Sequence, residues 1–150
     1  MSTKGESVME NKKVKVVGYI RVGNKEQLDA IENLQKQLIE NYVAKKENYA
    51  ITNYYIDDGY SGLNLKRPML EKMVGEIKKG NINEILVSDY ARISRNILEL
   101  DDFVSKYLIP RNIKLISVRE DNDFYNIQKE MKNYFLKRIV YTKGKKYNGR

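Results

Sequence analysis

The chain has 150 residues, 41% hydrophobic and 32% charged, with a formal net charge of +8. That is one domain's worth of sequence, with enough apolar residues for a core under a charged surface. It contains no cysteine and no histidine, which excludes a disulfide framework, thiolate or imidazole metal sites and any histidine-activated nucleophile.

Residues 1–12 are polar and without periodicity, and are expected to be disordered. A β-branched apolar run predicts the first strand over 14–22, ending at Arg21 and Gly23. A helix begins at once, so the strand's C-terminal end meets a helix N-terminus. Ligands gather at that edge in open α/β sheets, and helix N-termini favour anions. Arg21 is therefore open to two readings, a phosphate or carboxylate ligand or a surface arginine. Asn24 with Gln27 fits a capping box. Leu28, Ile31, Leu34, Leu38 and Tyr42 then carry a helix to about residue 45.

A second strand is expected over Ile51–Ile56, followed by the loop Asp57-Asp58-Gly59-Tyr60-Ser61-Gly62. Arg67-Pro68 opens the next helix, with Met69, Leu70, Met73, Val74 and Ile77 on its core face and Gly80 at its end. Ile82–Ser88 reads as a central strand. After Asp89-Tyr90-Ala91-Arg92-Ile93-Ser94-Arg95, a second capping box (Asn96, Glu99) starts a helix carrying Ile97, Leu100, Phe103, Val104 and Leu108, and Pro110 stops it. A fourth strand over Ile113–Val118, an acidic turn at Asp121–Asp123, a last helix over 126–140 and a loose basic tail complete the chain.

The alternation of strands and helices predicts an α/β fold, a mostly parallel sheet of four to five strands with helices on both faces. The expected organisation is a tail over 1–12, a core over 13–125, and a short helix with a basic tail over 126–150, without a separate DNA-binding domain. Residues 126–150 hold eight Lys/Arg against one Glu, while residues 1–125 hold 20 against 19 acids. The basic end is either a solubilising tail or an electrostatic footprint for nucleic acid, with Lys137, Arg138, Lys143, Lys145, Lys146 and Arg150 as candidate contacts. No apolar run suits a membrane span or a signal peptide, so a cytoplasmic home without a membrane partner is expected.

Only eight of the 28 basic residues are arginines, and Arg21, Arg67, Arg92 and Arg95 fall after the first three strands. Guanidinium groups match phosphate oxygens bidentately and stabilise phosphoryl transition states. The glycine-rich segments fit neither a Walker loop nor a dinucleotide fingerprint, which argues against nucleotide hydrolysis.

Three ordered motifs resemble the catalytic domain of serine site-specific recombinases, the resolvase/invertase group, and especially its larger transposon and phage members. They are Tyr19-Ile20-Arg21-Val22 with Gln27; Asp57-Asp58-Gly59-Tyr60-Ser61-Gly62 with Arg67-Pro68; and Arg92-Ile93-Ser94-Arg95-Asn96. The resemblance covers residues 14–121. It implies a resolvase-like fold and cleavage of double-stranded DNA by serine attack on a backbone phosphate. A 5′-phosphoserine link and strand exchange in a tetramer follow, without metal or nucleotide cofactor. It also implies that Arg21, Arg67, Arg92 and Arg95 contact the scissile phosphate, supported by Gln27 and Asp58.

The family's nucleophile belongs two residues after Arg21, where this chain has Gly23. Glycine has no side chain with which to attack phosphorus. Ser61 and Ser94 lie in motifs where the family serine is structural. Leu34 stands where the family usually has glutamine, and Ala91 where smaller resolvases have an acid. The expectation is a recombinase domain that cannot cleave as it stands. The alternatives are a non-catalytic DNA-binding or dimerising regulatory paralogue and a small phosphate-binding module. The apolar stripe Ile127, Met131, Tyr134, Phe135 and Ile139 is open to two readings, burial in the core or a homodimer or tetramer contact.

Overall fold

The computed structural model describes residues 13–23, 28–59 and 65–148, with side chains through 138 except that of Leu28. The expectations for Asn24, Gln27, Ser61, the 1–12 tail and Arg150 lie outside the described residues, as do the side chains of Lys143, Lys145 and Lys146.

The sheet has five strands: β1 (Val14–Val22), β2 (Tyr49–Asp58), β3 (Glu84–Val87), β4 (Lys114–Ser117) and β5 (Asn122–Asp123). Their order is β2-β1-β3-β4-β5, parallel except for the final β4–β5 pair. The acidic turn at Asp121–Asp123 is therefore mostly strand: Ser117 pairs with Asn122 and Ile116 with Asp123. Asp121 makes the reversal at φ 50°.

Helices α1 (Leu28–Ala44), α2 (Pro68–Lys78), α3 (Ile97–Phe103) and α4 (Phe124–Asn148) cover both faces. Strand alternation divides the core. Val16, Ile20 and Val22 pack with Ile39 of α1, Leu86 and Ile116. Val17 and Tyr19 face the other way, onto α2, α3 and Phe124 at the start of α4. Gly18 lies on the α1 side, where an added Cβ would meet the Tyr54 ring at 2.6 Å.

Three local expectations shift. The stripe on α1 shifts in part: Ile31 and Tyr42 pack against the core as expected, but Leu34 is 49% exposed, whereas Gln35 and Ile39 are buried. Helix α3 does not stop at Pro110 by simple termination. It widens to a π-turn over Val104–Leu108 and tightens through Ile109–Arg111, and Asn112 reverses the chain at φ 55°. Helix α4 is 25 residues long and runs through most of the stretch expected as a loose tail. Asn96 caps α3 as expected, accepting from the Leu98 and Glu99 amides at 2.9 and 3.3 Å. The reciprocal bond of its box passes through Ser94, whose Oγ donates to Glu99 Oε1 at 2.8 Å and accepts from Asn96 N at 3.0 Å.

Candidate functional site

Arg21 shares its strand face with Tyr19, because alternate residues of β1 point the same way. Parallel register sets Arg21 beside Asp57 and Val22 beside Asp58. The turn Tyr90–Arg92 follows β3 at the same sheet edge. Arg67 immediately precedes α2. The structure thus brings three strand ends and one helix start together.

Arg21 and Arg67 are almost wholly buried, at 2% and 1% exposure. Both turn their donors onto the carbonyls of the 91–93 turn. Arg21 donates from Nε to Arg92 O at 3.1 Å and from Nη2 to Ala91 O at 2.8 Å. Arg67 donates from Nη1 to the same Arg92 carbonyl at 2.7 Å and from Nη2 to Ile93 O. Arg92 reciprocates, donating from Nη1 to Arg21 O at 3.1 Å. Gln35 Nε2 also donates to that carbonyl, at 3.0 Å. The backbone at Arg21 and the backbone at Arg92 are thereby tied to each other through guanidiniums.

Burial and then the positive charges of Arg67, Arg92 and Arg95 lower the Arg21 guanidinium to about 10. Four cations therefore act on one small region. Such a site gains from an anion. Arg95 is exposed and Arg92 is partly exposed.

Beneath the arginines lies a buried polar triad. Tyr19 Oη donates to Asp57 Oδ2 at 2.7 Å and accepts from Arg67 Nη1 at 2.8 Å. Asp57 also accepts from the Met69 and Leu70 amides, each at 2.9 Å, and so caps α2 from a neighbouring strand. Burial raises the Tyr19 hydroxyl above its ordinary range. Of the paired acids, Asp57 is the buried one, and Asp58 is exposed at the rim.

Gly23 is exposed at the end of β1. Gly59 donates its amide to Val22 O at 2.5 Å and adopts φ 77°. This positive φ suits glycine, and the amide ties Gly59 to the end of β1. Lys137 and Arg138 are exposed on α4. Sequence reasoning passed over Tyr19, Gln35 and Asp57 as site-building residues. Strand parity with Arg21 is the signal that would have found Tyr19, and register the one for Asp57.

Among the described residues, no group of three His, Cys, Asp or Glu could hold a metal ion. No helix there is long and apolar enough to cross a membrane.

Comparison with known proteins agrees with this geometry. The family model described as "Resolvase, N terminal domain" matches residues 16–140. A chain of Bacillus subtilis (strain 168) named as a DNA recombinase is 33% identical over 103 residues, covering 67% of this chain and 19% of its own length. A chain of Acanthamoeba polyphaga mimivirus named as a resolvase is 29% identical over 113 residues, covering 75% of this chain and 55% of its own. The chain thus spans from a fifth to about half of these relatives. The N-terminal catalytic domain of TP901-1 integrase shares the fold, with a TM-score of 0.71 at 23% identity, over 86% of this chain and 96% of that one.

Proposed function

Since the chain belongs to the resolvase N-terminal domain family, the catalytic domain of serine site-specific recombinases, we propose that it engages double-stranded DNA at its backbone phosphates through Arg21, Arg67, Arg92 and Arg95 and does not itself cleave. The observation that carries this reading is the pairing of an intact arginine cluster with an exposed Gly23 at the end of β1. Phosphate is the anion that four convergent guanidiniums suit best. Cleavage needs a hydroxyl two residues after Arg21, and glycine lacks one.

In this reading the two buried arginines set the geometry of the 91–93 turn and the field around it. Arg95, the most accessible of the four, meets the phosphate directly, with Arg92 at its edge. Asp58 borders the site, and Lys137 and Arg138 extend the basic surface along α4.

The regulatory alternative has its own supporting observation. Ile97 and Leu98 of α3 and Met131, Tyr134 and Phe135 of α4 line an open apolar groove. A second copy of the chain would bury that surface through α4, giving a dimer that binds DNA without cutting it.

The test is covalent trapping. The chain and its Gly23→Ser variant are incubated with DNA flanking the gene and resolved on a denaturing gel. An adduct with Gly23→Ser alone is expected. An adduct with the unaltered chain would overturn the cleavage-incompetent reading.

A further inference from the structure

Arg119 lies outside all three motifs, yet it follows β4 at the edge where the arginines gather. The β3–β4 pairing continues past the strand ends. Val118 N donates to Val87 O at 2.9 Å and Arg119 N to Ser88 O at 3.3 Å. Arg119 is therefore laid beside Ser88 and Asp89.

A single carboxylate oxygen organises this corner. Asp89 Oδ2 accepts from Ser88 Oγ at 3.1 Å and from Arg92 Nε at 3.3 Å, and it stands 3.9 Å from Arg119 Nε. One oxyanion thus sits between two guanidiniums and a hydroxyl, an arrangement that a phosphate oxygen also satisfies. The Arg119 side chain is 48% exposed, so its remaining donors can reach a ligand outside.

The acids that follow do not close the corner. Asp121 accepts from Tyr42 Oη at 2.9 Å, and Asp123 accepts from Tyr125 N at 3.2 Å. Glu120 is exposed and weakens the local positive field.

We propose that Arg92 and Arg119 form a second phosphate clamp at the C-terminal ends of β3 and β4, that it takes a DNA backbone phosphate flanking the one at the arginine cluster, and that the Asp89 carboxylate competes for it. The proposal rests on the DNA reading above and adds a residue and a subsite to it. Tyr90, inside the Arg92 turn, donates its hydroxyl to Asn122 O and packs on Phe124 at 5.2 Å between ring centroids. The turn that carries Arg92 is thus anchored to the start of α4.

The experiment is the salt dependence of duplex binding by the full chain, followed by fluorescence anisotropy with a labelled DNA duplex. Arg119→Gln is expected to make the slope of log affinity against log salt shallower by about 0.9, the value of one released phosphate contact. Between 50 and 200 mM salt that is about 3.5-fold less affinity lost. Arg119→Lys is expected to keep the slope, and Asp89→Asn to tighten binding at every salt concentration. Normal binding by the unaltered chain, with an unchanged slope in Arg119→Gln, overturns the clamp and leaves the DNA reading standing. No duplex binding by the unaltered chain overturns both. Should Arg119→Gln fail to fold, Asp89→Asn decides, and unchanged affinity overturns the clamp.

Discussion

Tyr19 donates its hydroxyl to Asp57 across the β1–β2 pair at 2.7 Å, and the same carboxylate closes the first turn of α2. One buried hydrogen bond therefore joins the strand that presents Arg21 to the helix start that presents Arg67. Arg67 completes the link by donating to the Tyr19 oxygen at 2.8 Å.

Removing the Tyr19 hydroxyl is expected to loosen both arginines at once. Tyr19→Phe deletes a hydrogen bond to a carboxylate, a contribution of about 1.5–3 kcal/mol, and takes one acceptor from Arg67. Urea unfolding followed by circular dichroism is expected to show the midpoint fall by a matching amount. Asp57→Ala should cost more, because it strands two α2 amides as well as Tyr19. An unshifted midpoint in Tyr19→Phe would show that the bond contributes nothing.

The chain is expected to unfold in alkali. Burial raises the hydroxyls of Tyr19, Tyr42, Tyr49, Tyr54 and Tyr90. A group whose folded value lies above its unfolded value stabilises below the unfolded value, roughly 10 for tyrosine, and loses that contribution as pH rises beyond it. Arg21 runs the other way, since burial and its three arginine neighbours lower it to about 10, so the folded state releases that proton first. Five tyrosines outweigh one arginine. Tyrosinate absorbance for these groups should appear together with loss of helical signal, and complete titration before any unfolding would contradict this account.

Oxyanions should stabilise the fold beyond their ionic strength. Arg67, Arg92 and Arg95 all act on Arg21, so a bound sulfate or phosphate relieves cation repulsion in the folded state alone. At a hundredfold excess over its dissociation constant, one such ligand adds about 2.7 kcal/mol. Thermal unfolding in sulfate against chloride at equal ionic strength measures this, and Arg95→Gln should shrink the difference. Equal midpoints in the two salts would remove the anion site.

Helix α4 offers a separate test of association. Tyr134, Phe135 and Leu136 are about half exposed on it. Phe135→Lys is expected to leave stability within about 0.5 kcal/mol, as surface changes usually do, while shifting sedimentation towards the monomer. A monomer at all concentrations in the unaltered chain would end the dimer reading.

The element order was legible because it depends on local pattern. The β-branched run over 14–22, the Arg67-Pro68 helix start and the Asn96 cap each carry their own signal within a few residues. Helix α4 was read short because its apolar residues weaken as a stripe beyond Ile139 and give way to lysines and Gly144. Lysine is a good helix former, and a sequence stripe marks burial more than it marks helicity.

The sequence by itself determined that four arginines fall at or after the ends of the first three strands and that position 23 lacks a hydroxyl. Those facts are matters of identity and spacing along the chain. Only the tertiary structure decided which of two adjacent residues is buried: Asp57 and not Asp58, Gln35 and not Leu34. It also decided that Arg21 and Arg67 are sunk against the carbonyls of residues 91–93, while Arg92 and Arg95 keep access to solvent. The reason is physical. One step along a strand reverses the face of a side chain, and one step along a helix turns it by about 100°. The face that is buried depends on partners tens of residues away, and those partners meet only when the sheet closes.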